Sequence, residues 1–534
     1  MSESRSECLV FSDLLPSGVL DFGKFIGSLC RNEEEAFAVR QSPRFSFFAE
    51  YVASSCVKSI VIEERYVDRD YIQDFASYYS LCFTEYPRFC KRCHLFTKPY
   101  SCEEINEIVL TGLKSDIDLL QNAYVGFFIF RPLLGFSFGR TCFKPTSLLS
   151  DLQKSRFLSK VKVNVGFFGL DLTVECMPFQ EQDSNVSACA TSALWSAFQV
   201  TRYLFGHSAY SPSSITRLAT GHDVLSDGCI FPNQGLLREE MLYAIDRVGL
   251  GAYCDSRTSK LGMDYVAVKA IAAAYLDIGL PVIAIGEMER IDNGASTFIG
   301  RHAFVICGYR FKETCPSPTG SMGLPIVYEN IESLCCVDDQ VGPYCEISEI
   351  RREGGSVYQW RTQWDFSSTS STSFVACKIT DLLIPTYQKI RVSYEEILDL
   401  TCKFFSSIIN LVREGGGHNE PFLLAQWDIR LVGGNDFKKL IRLSPYCSDS
   451  SKRRIAFSNC PKYMWYVSAN LGNIPIMTFV IDATDISHGS HVVFTFRRPN
   501  ICDDPIKTLL KSDSFRAHPF AQRYFEDGFE YSDL

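Results

Sequence analysis

The sequence predicts an α+β protein. A helix carries a cysteine at its start, an antiparallel sheet carries a histidine and an aspartate, and mixed α/β regions flank both. Three stretches predict it. The first is Gln182-Asp183-Ser184-Asn185-Val186-Ser187-Ala188-Cys189, a turn-prone run ending in a cysteine. Beyond it, Ala190, Ala193, Leu194, Ala197, Val200, Thr201 and Leu204 are spaced by three and four, which marks one buried helical face. The second, Arg301-His302-Ala303-Phe304-Val305-Ile306-Cys307-Gly308-Tyr309, puts a histidine at the head of an apolar strand. The third is the strand Leu334-Cys335-Cys336-Val337, running into the turn Asp338-Asp339-Gln340-Val341-Gly342-Pro343-Tyr344.

Taken in order, residues 1–175 read as a mixed α/β region. Helices are expected at Phe45–Ser55 and Tyr71–Phe83, with a strand at Lys58–Glu64 between them. Ile105, Ile108, Val109, Leu113, Ile117 and Leu120 space one helix over 105–121. Strands follow at Ala123–Pro132 and Gly135–Thr141, then a pair, Val161–Phe167 and Leu170–Cys176, around Gly169.

Residues 176–350 form the expected second domain, which holds all three stretches. After the cysteine helix come a short helix at Pro212–Ala219 and a glycine- and polar-rich stretch, 221–235. An amphipathic helix at Leu236–Val248, a helix at Val266–Ile278 and a strand at Leu280–Gly286 lead to the His302 and Asp338 strands. Arg351-Arg352-Glu353-Gly354-Gly355-Ser356 and the serine/threonine run 367–373 mark loops or a linker into a C-terminal mixed α/β domain, 351–534. That domain opens on a helix at Tyr394–Val412. Strands follow at Phe422–Val432, Met464–Ala469, Ile474–Ile481 and His491–Phe496.

The chain's 534 residues are 46% hydrophobic and 22% charged, ordinary for a core-forming protein. A net charge of −9 argues against general nucleic-acid or anionic-membrane binding, which depends on Lys and Arg. The first residues, Met1-Ser2-Glu3-Ser4-Arg5-Ser6-Glu7, carry no apolar signal core, so a cytoplasmic protein with free thiols rather than disulfides is expected for its 22 cysteines. The most apolar window, 266–286, contains Lys269, Asp277 and Pro281 and is not a membrane span. No phosphate loop, dinucleotide fingerprint or repeat is present. Cys90-Lys91-Arg92-Cys93-His94 has the form of a haem-attachment or zinc half-site, but no second pair stands at zinc-ribbon spacing. Asp482 and Asp485 beside His488 read as an end-of-strand turn.

A cysteine at a helix start is favoured as thiolate, because the free N–H groups and the dipole there stabilise an anion. A nucleophilic thiolate also needs a base, and the base an orienting group. His302 alone of the eight histidines has the strand-and-glycine context that follows the cysteine. The ordered set Gln182, Cys189, His302 and Asp338 resembles the papain-like cysteine peptidases, nearest to the bacterial branch that processes bacteriocins. The resemblance covers about 175–350, and the whole chain is similar to large bacterial proteins that carry such a core.

It implies a papain-like fold and acyl transfer from a peptide or isopeptide of a protein substrate to Cys189. His302 would be base and acid, Asp338 or Asp339 the orienting acid, and Gln182 an oxyanion donor, with no metal or organic cofactor. Three positions differ from the family pattern: Ala190 replaces the glycine after the cysteine, Gln182 stands seven residues before it, and Asp339 replaces a proline. Two other readings use the same residues. One is a transglutaminase- or deamidase-type acyltransferase; the other is a non-catalytic papain-like scaffold in a larger, defence-related assembly. The flanking regions of a peptidase this size would gate its cleft or dock a regulatory protein.

Overall fold

A computed structural model describes residues 9–133, 135, 137–145, 155–183, 188–221, 235–256, 261–313, 323–350, 357–364, 373–415, 420–484, 492–524 and 528–531. The fold is mixed α+β with largely antiparallel sheets. It divides into two compact units. One contains 1–263, 281–310 and 333–385; the other contains 264–280, 311–332 and 386–534. The expected boundaries at 175/176 and 350/351 both fall inside the first unit.

In the first unit, β1 (Leu9–Phe11), β2 (Ser59–Tyr66), β3 (Cys90–Phe96), β4 (Tyr124–Phe130) and β5 (Phe138–Phe143) form an antiparallel sheet in that order. Helices α1 (Phe22–Leu29), α2 (Glu33–Arg40) and α3 (Pro43–Ser54) precede β2, and α4 (Arg69–Ser77) follows it. Pro43 occupies the first turn of α3 and Ser42 caps it, accepting from the Phe45 N–H, so the helix starts where a proline costs nothing. Phe48 of α3 packs on one sheet face, its ring centroid 4.3 Å from that of Phe138. Tyr71, Phe96, Tyr124 and Phe167 belong to another buried cluster. Every residue of β4 is buried, so the strand shows no alternation.

The single helix expected over 105–121 is two, α5 (Cys102–Thr111) and α6 (Lys114–Ala123). Gly112 caps α5 in the left-handed region, φ 59°, and turns the chain. The hairpin of β7 (Val161–Phe167) and β8 (Leu170–Cys176), which follows β6 (Ser155–Phe157), turns through Phe168 and Gly169, both at positive φ.

Helices α7 (Cys189–Phe205), α8 (Pro212–Thr220) and α9 (Arg238–Arg247) come next, then β9 (Gly251–Ser256). Six strands then close on themselves: β10 (Val282–Asp292), β11 (Ala295–Phe311), β12 (Ile331–Asp338), β13 (Gly342–Ile350), β14 (Gln359–Arg361) and β15 (Ser373–Thr386). Each pairs with the next, and β15 also pairs with β10, which makes a closed antiparallel barrel. β14 and β15 lie beyond residue 350, in the stretch read as a linker and a new domain. The barrel needs them, because without β15 the long β10 would be left with an unpaired edge.

The second unit is built on a five-stranded sheet, β16 (Gln426–Gly433), β17 (Tyr463–Leu471), β18 (Ile474–Asp482), β19 (Val492–Arg497) and β20 (Phe529–Glu530), with only the last pair parallel. Helix α10 (Tyr265–Leu276) packs against it through Tyr275 and Trp465, 5.5 Å between ring centroids. α11 (Tyr394–Gly415) packs through Phe404 on Phe479 at 5.2 Å. The strand expected over 422–432 starts later, at Gln426. Residues Glu420–Leu424 form a helical turn, α12, that buries Phe422 and exposes Leu423 and Leu424. No helix among the described residues is long and apolar enough to cross a membrane.

Candidate active site

Cys189 is the first residue of α7, and its side chain is partly exposed. Ala188 provides no side-chain cap, and the first helical bond is Ser192 N–H to the Ala188 carbonyl, 3.0 Å. The N–H groups of the first turn therefore have no partner within the helix and make an anion-favouring end. Behind Cys189 the helix is locked: every residue from Ala190 to Thr201 is buried. Two polar ties hold its register. Trp195 Nε1 donates to Asp70 Oδ2 of α4 at 3.1 Å, and the Thr191 and Thr216 hydroxyls meet at 3.2 Å.

His302 lies on β11 opposite Gly286 of β10 and is buried. A Cβ on Gly286 would fall 2.4 Å from Cys377 Sγ, so only glycine lets β10 approach β15 there. The His302 Nε2 lies 2.9 Å from Asp338 Oδ1 at the end of β12 and 3.6 Å from Asp339 Oδ1. The Cys189 side chain acts on the same imidazole. Nε2 is engaged by Asp338, so Nδ1 is the nitrogen left for the thiol. Burial alone would lower the His302 pKa. The Asp338 carboxylate, by charge and hydrogen bond, and the Cys189 side chain outweigh it and hold the value well above the ordinary one.

Asp338 accepts from three sides: His302 at Oδ1, the Gln340 N–H at Oδ1 (2.9 Å) and Trp364 Nε1 at Oδ2 (2.9 Å). Burial would raise its pKa, but the imidazolium and these donors bring it below the ordinary carboxylate value. Asp339 differs. Its Oδ1 has no hydrogen bond, and its Oδ2 accepts from Gln340 Nε2 at 3.2 Å. Burial, opposed by His302 and reinforced by the Asp338 charge, pushes it up to about 7. Asp338 is thus the carboxylate hydrogen-bonded to the histidine, and Asp339 is a second, poorly satisfied carboxylate beside it. Trp364 also sets its ring edge to face against His302, 4.8 Å between centroids.

The acid turn is held by backbone as much as by side chains. Asp338 pairs with Gly342, whose φ is +157° and where a Cβ would meet the Phe47 ring at 2.4 Å. Tyr344, at φ 62°, donates its hydroxyl to the Phe143 carbonyl (2.8 Å) and accepts from the Met177 N–H (2.9 Å).

Three of the four residues singled out in the sequence, Cys189, His302 and Asp338, are thus brought together. Gln182 is half-buried, on the segment that runs beside β5 through the Thr141–Phe179 bridge. Residues 184–187, between it and Cys189, lie outside the described residues, as does the 222–234 part of the glycine-rich stretch. Sequence reading missed Trp364, Gln340 and Arg44. Trp364 carries no signal. Arg44 does: it is a charge on the apolar face that Phe47, Phe48, Tyr51 and Val52 define.

His302, Asp338 and Asp339 each offer one ligand atom, all within 4.8 Å, and are the group of the described residues that could hold a metal ion. Cys90 and Cys93 are buried in β3 with no such group. Both nitrogens of the adjacent His94 are engaged, by Glu63 Oε1 (2.6 Å) and the Tyr124 hydroxyl (3.0 Å). Burial, against the Glu63 bond, takes its pKa down to about 4. Asp482 closes a turn on the Thr484 N–H and hydroxyl, at 2.8 and 2.7 Å; Asp485 and His488 lie outside the described residues. No family model and no curated protein matches the chain.

Proposed function

We propose that this protein is a papain-like thiol peptidase that cleaves a peptide or isopeptide bond in a protein substrate, with Cys189 as nucleophile. The observation that carries the reading is the convergence of Cys189 and Asp338 on His302, whose Nε2 lies 2.9 Å from Asp338 Oδ1. The parts also sit on the elements such a reaction needs, a helix start for the thiol and a rigid barrel for the base. The raised His302 pKa favours an imidazolium beside the thiol, and an imidazolium stabilises a thiolate.

In the reaction, Cys189 Sγ bonds to the scissile carbonyl carbon. The oxyanion is met by the first-turn N–H of α7 and by Gln182, a contribution of about 3 kcal/mol in comparable sites. His302 gives its proton to the leaving amine, the C–N bond breaks, and an acyl-enzyme remains. Water, deprotonated by His302, releases the acid and restores the thiol. Asp338 keeps the imidazole in the tautomer and orientation that both transfers require.

The test is labelling of native protein with an electrophilic thiol-peptidase probe, followed by peptide mapping, with His302→Ala as control. Fast labelling confined to Cys189 and lost in the control supports the reading. Labelling spread over exposed thiols such as Cys56, and unchanged by the control, refutes it.

A further inference from the structure

One side chain touches both the acid turn 338–342 and the extended segment that carries Glu181 and Gln182. Arg44 of α3 lies in an ion pair with Glu181, Nε to Oε1 2.5 Å, and Glu181 is the immediate neighbour of Gln182. The same guanidinium donates through NH1 to Gln340 Oε1 at 3.2 Å. Gln340 in turn donates its side-chain Nε2 to Asp339 and its backbone N–H to Asp338. The contacts run without a gap from Glu181 through Arg44 and Gln340 to the two aspartates and on to His302. Arg44 and Glu181 are both buried.

A buried ion pair is weak evidence for stability, because desolvation offsets the attraction. Geometry is what this one contributes. A planar fork can serve two acceptors at a fixed angle, which a lysine cannot. The Glu181 end is fixed independently of Arg44: its Oε2 accepts from the Phe138 N–H (2.8 Å), and its carbonyl from Arg131 NH2 (3.1 Å). Arg131 also lies 3.9 Å from Asp183. Arg44 is therefore braced on a segment tied to Phe138 and Arg131 and reaches out to the turn, and Phe47, one helical turn along α3, seats against Gly342 of the same turn.

We propose that Arg44 is a positioning residue of the site: it holds Gln340, and through it Asp338 and Asp339, in register beneath His302. The proposal rests on the thiol-peptidase reading. It makes α3, some 145 residues before the nucleophile in sequence, part of the catalytic framework.

The experiment is iodoacetamide alkylation of the full chain across pH 5–9, read at Cys189 by peptide mapping, for wild type, R44M, R44K and Q340M. Wild-type Cys189 should react at pH 6 well ahead of the other thiols. In R44M the turn loosens and the imidazolium is no longer held to the thiol. Cys189 should then react at least about tenfold more slowly at pH 6, its reactive limb moved up by about one pH unit. R44K should recover part of the loss, since the charge returns without the fork. A profile for R44M that superimposes on wild type, with or without a lower melting temperature, overturns the proposal. If R44M does not fold, Q340M carries the test, because it cuts the link to Asp339 and leaves the Arg44–Glu181 pair intact; a wild-type profile there overturns it equally. A wild type whose Cys189 reacts no faster than Cys56 refutes the peptidase reading instead.

Discussion

His302 Nε2 sits 2.9 Å from Asp338 Oδ1, between strands whose residues are 36 positions apart in sequence. That bond commits Nε2 to the acid and leaves Nδ1 as the nitrogen that would serve the thiol. Asp338→Asn keeps the shape but removes the charge and permits the wrong tautomer. Probe labelling of Cys189 at pH 6 should fall by about 10²- to 10⁴-fold. Labelling within a few-fold of wild type would mean that Asp338 does not orient the base.

The two neighbouring aspartates should respond to pH with opposite signs. Asp338 has a folded pKa below its ordinary 3.8, so its contribution to stability is present above that value and is lost as pH falls through the folded one. Asp339 has a folded pKa of about 7, above its ordinary 3.8. Its contribution is present at pH 4 and is lost as pH rises to 7, where a buried charge must form. Asp338→Asn should therefore destabilise at pH 7, whereas Asp339→Asn should stabilise at pH 8 by roughly 1–3 kcal/mol and bring no gain at pH 4. Denaturant unfolding at the two pH values checks both; a D339N gain that is equal at pH 4 and 8 would exclude ionisation as its cause.

Trp195→Phe leaves the apolar packing of α7 but deprives buried Asp70 of the indole N–H at 3.1 Å. Desolvation, with the nearby Asp68 charge, already raises the Asp70 pKa. The variant should lose about 1–3 kcal/mol at neutral pH and less near pH 4, where the carboxyl takes a proton. Thermal melts at both values would show it.

Gly342→Ala places a methyl carbon within 2.4 Å of the Phe47 ring, at a backbone φ that L residues rarely adopt. Either α3 or the acid turn must move. The variant should be less stable by roughly 1–3 kcal/mol. If the turn is what moves, Cys189 labelling should slow as well. A crystal structure of G342A would show which element yields.

Local signals were legible where the physics is local. The three-and-four spacing after Cys189 is a property of the segment itself, and α7 begins at that cysteine. The hairpin around Gly169 follows from residues that tolerate positive φ, and its strands lie at Val161–Phe167 and Leu170–Cys176 as expected. Two misreadings had equally local causes. Gly112 in the left-handed region interrupts an otherwise continuous periodicity, and Phe422-Leu423-Leu424 suits a turn of helix as well as a strand.

The sequence by itself determined the elements that carry Cys189, His302 and Asp338, because each rests on periodicity, capping and turn chemistry within a dozen residues. Tertiary structure alone decided what joins them. Closure of the barrel depends on β15 pairing with β10, a match between strands 80 or more residues apart that leaves no mark in either. The different fates of Asp338 and Asp339, identical side chains one position apart, depend on which of them meets His302 and Trp364 and which is left with an unsatisfied oxygen. Arg44 reaches the acid turn only because α3 folds onto it. Pairing and burial are sums over distant contacts, and hydrogen bonds in a buried site are decided by tenths of an ångström that no local pattern encodes.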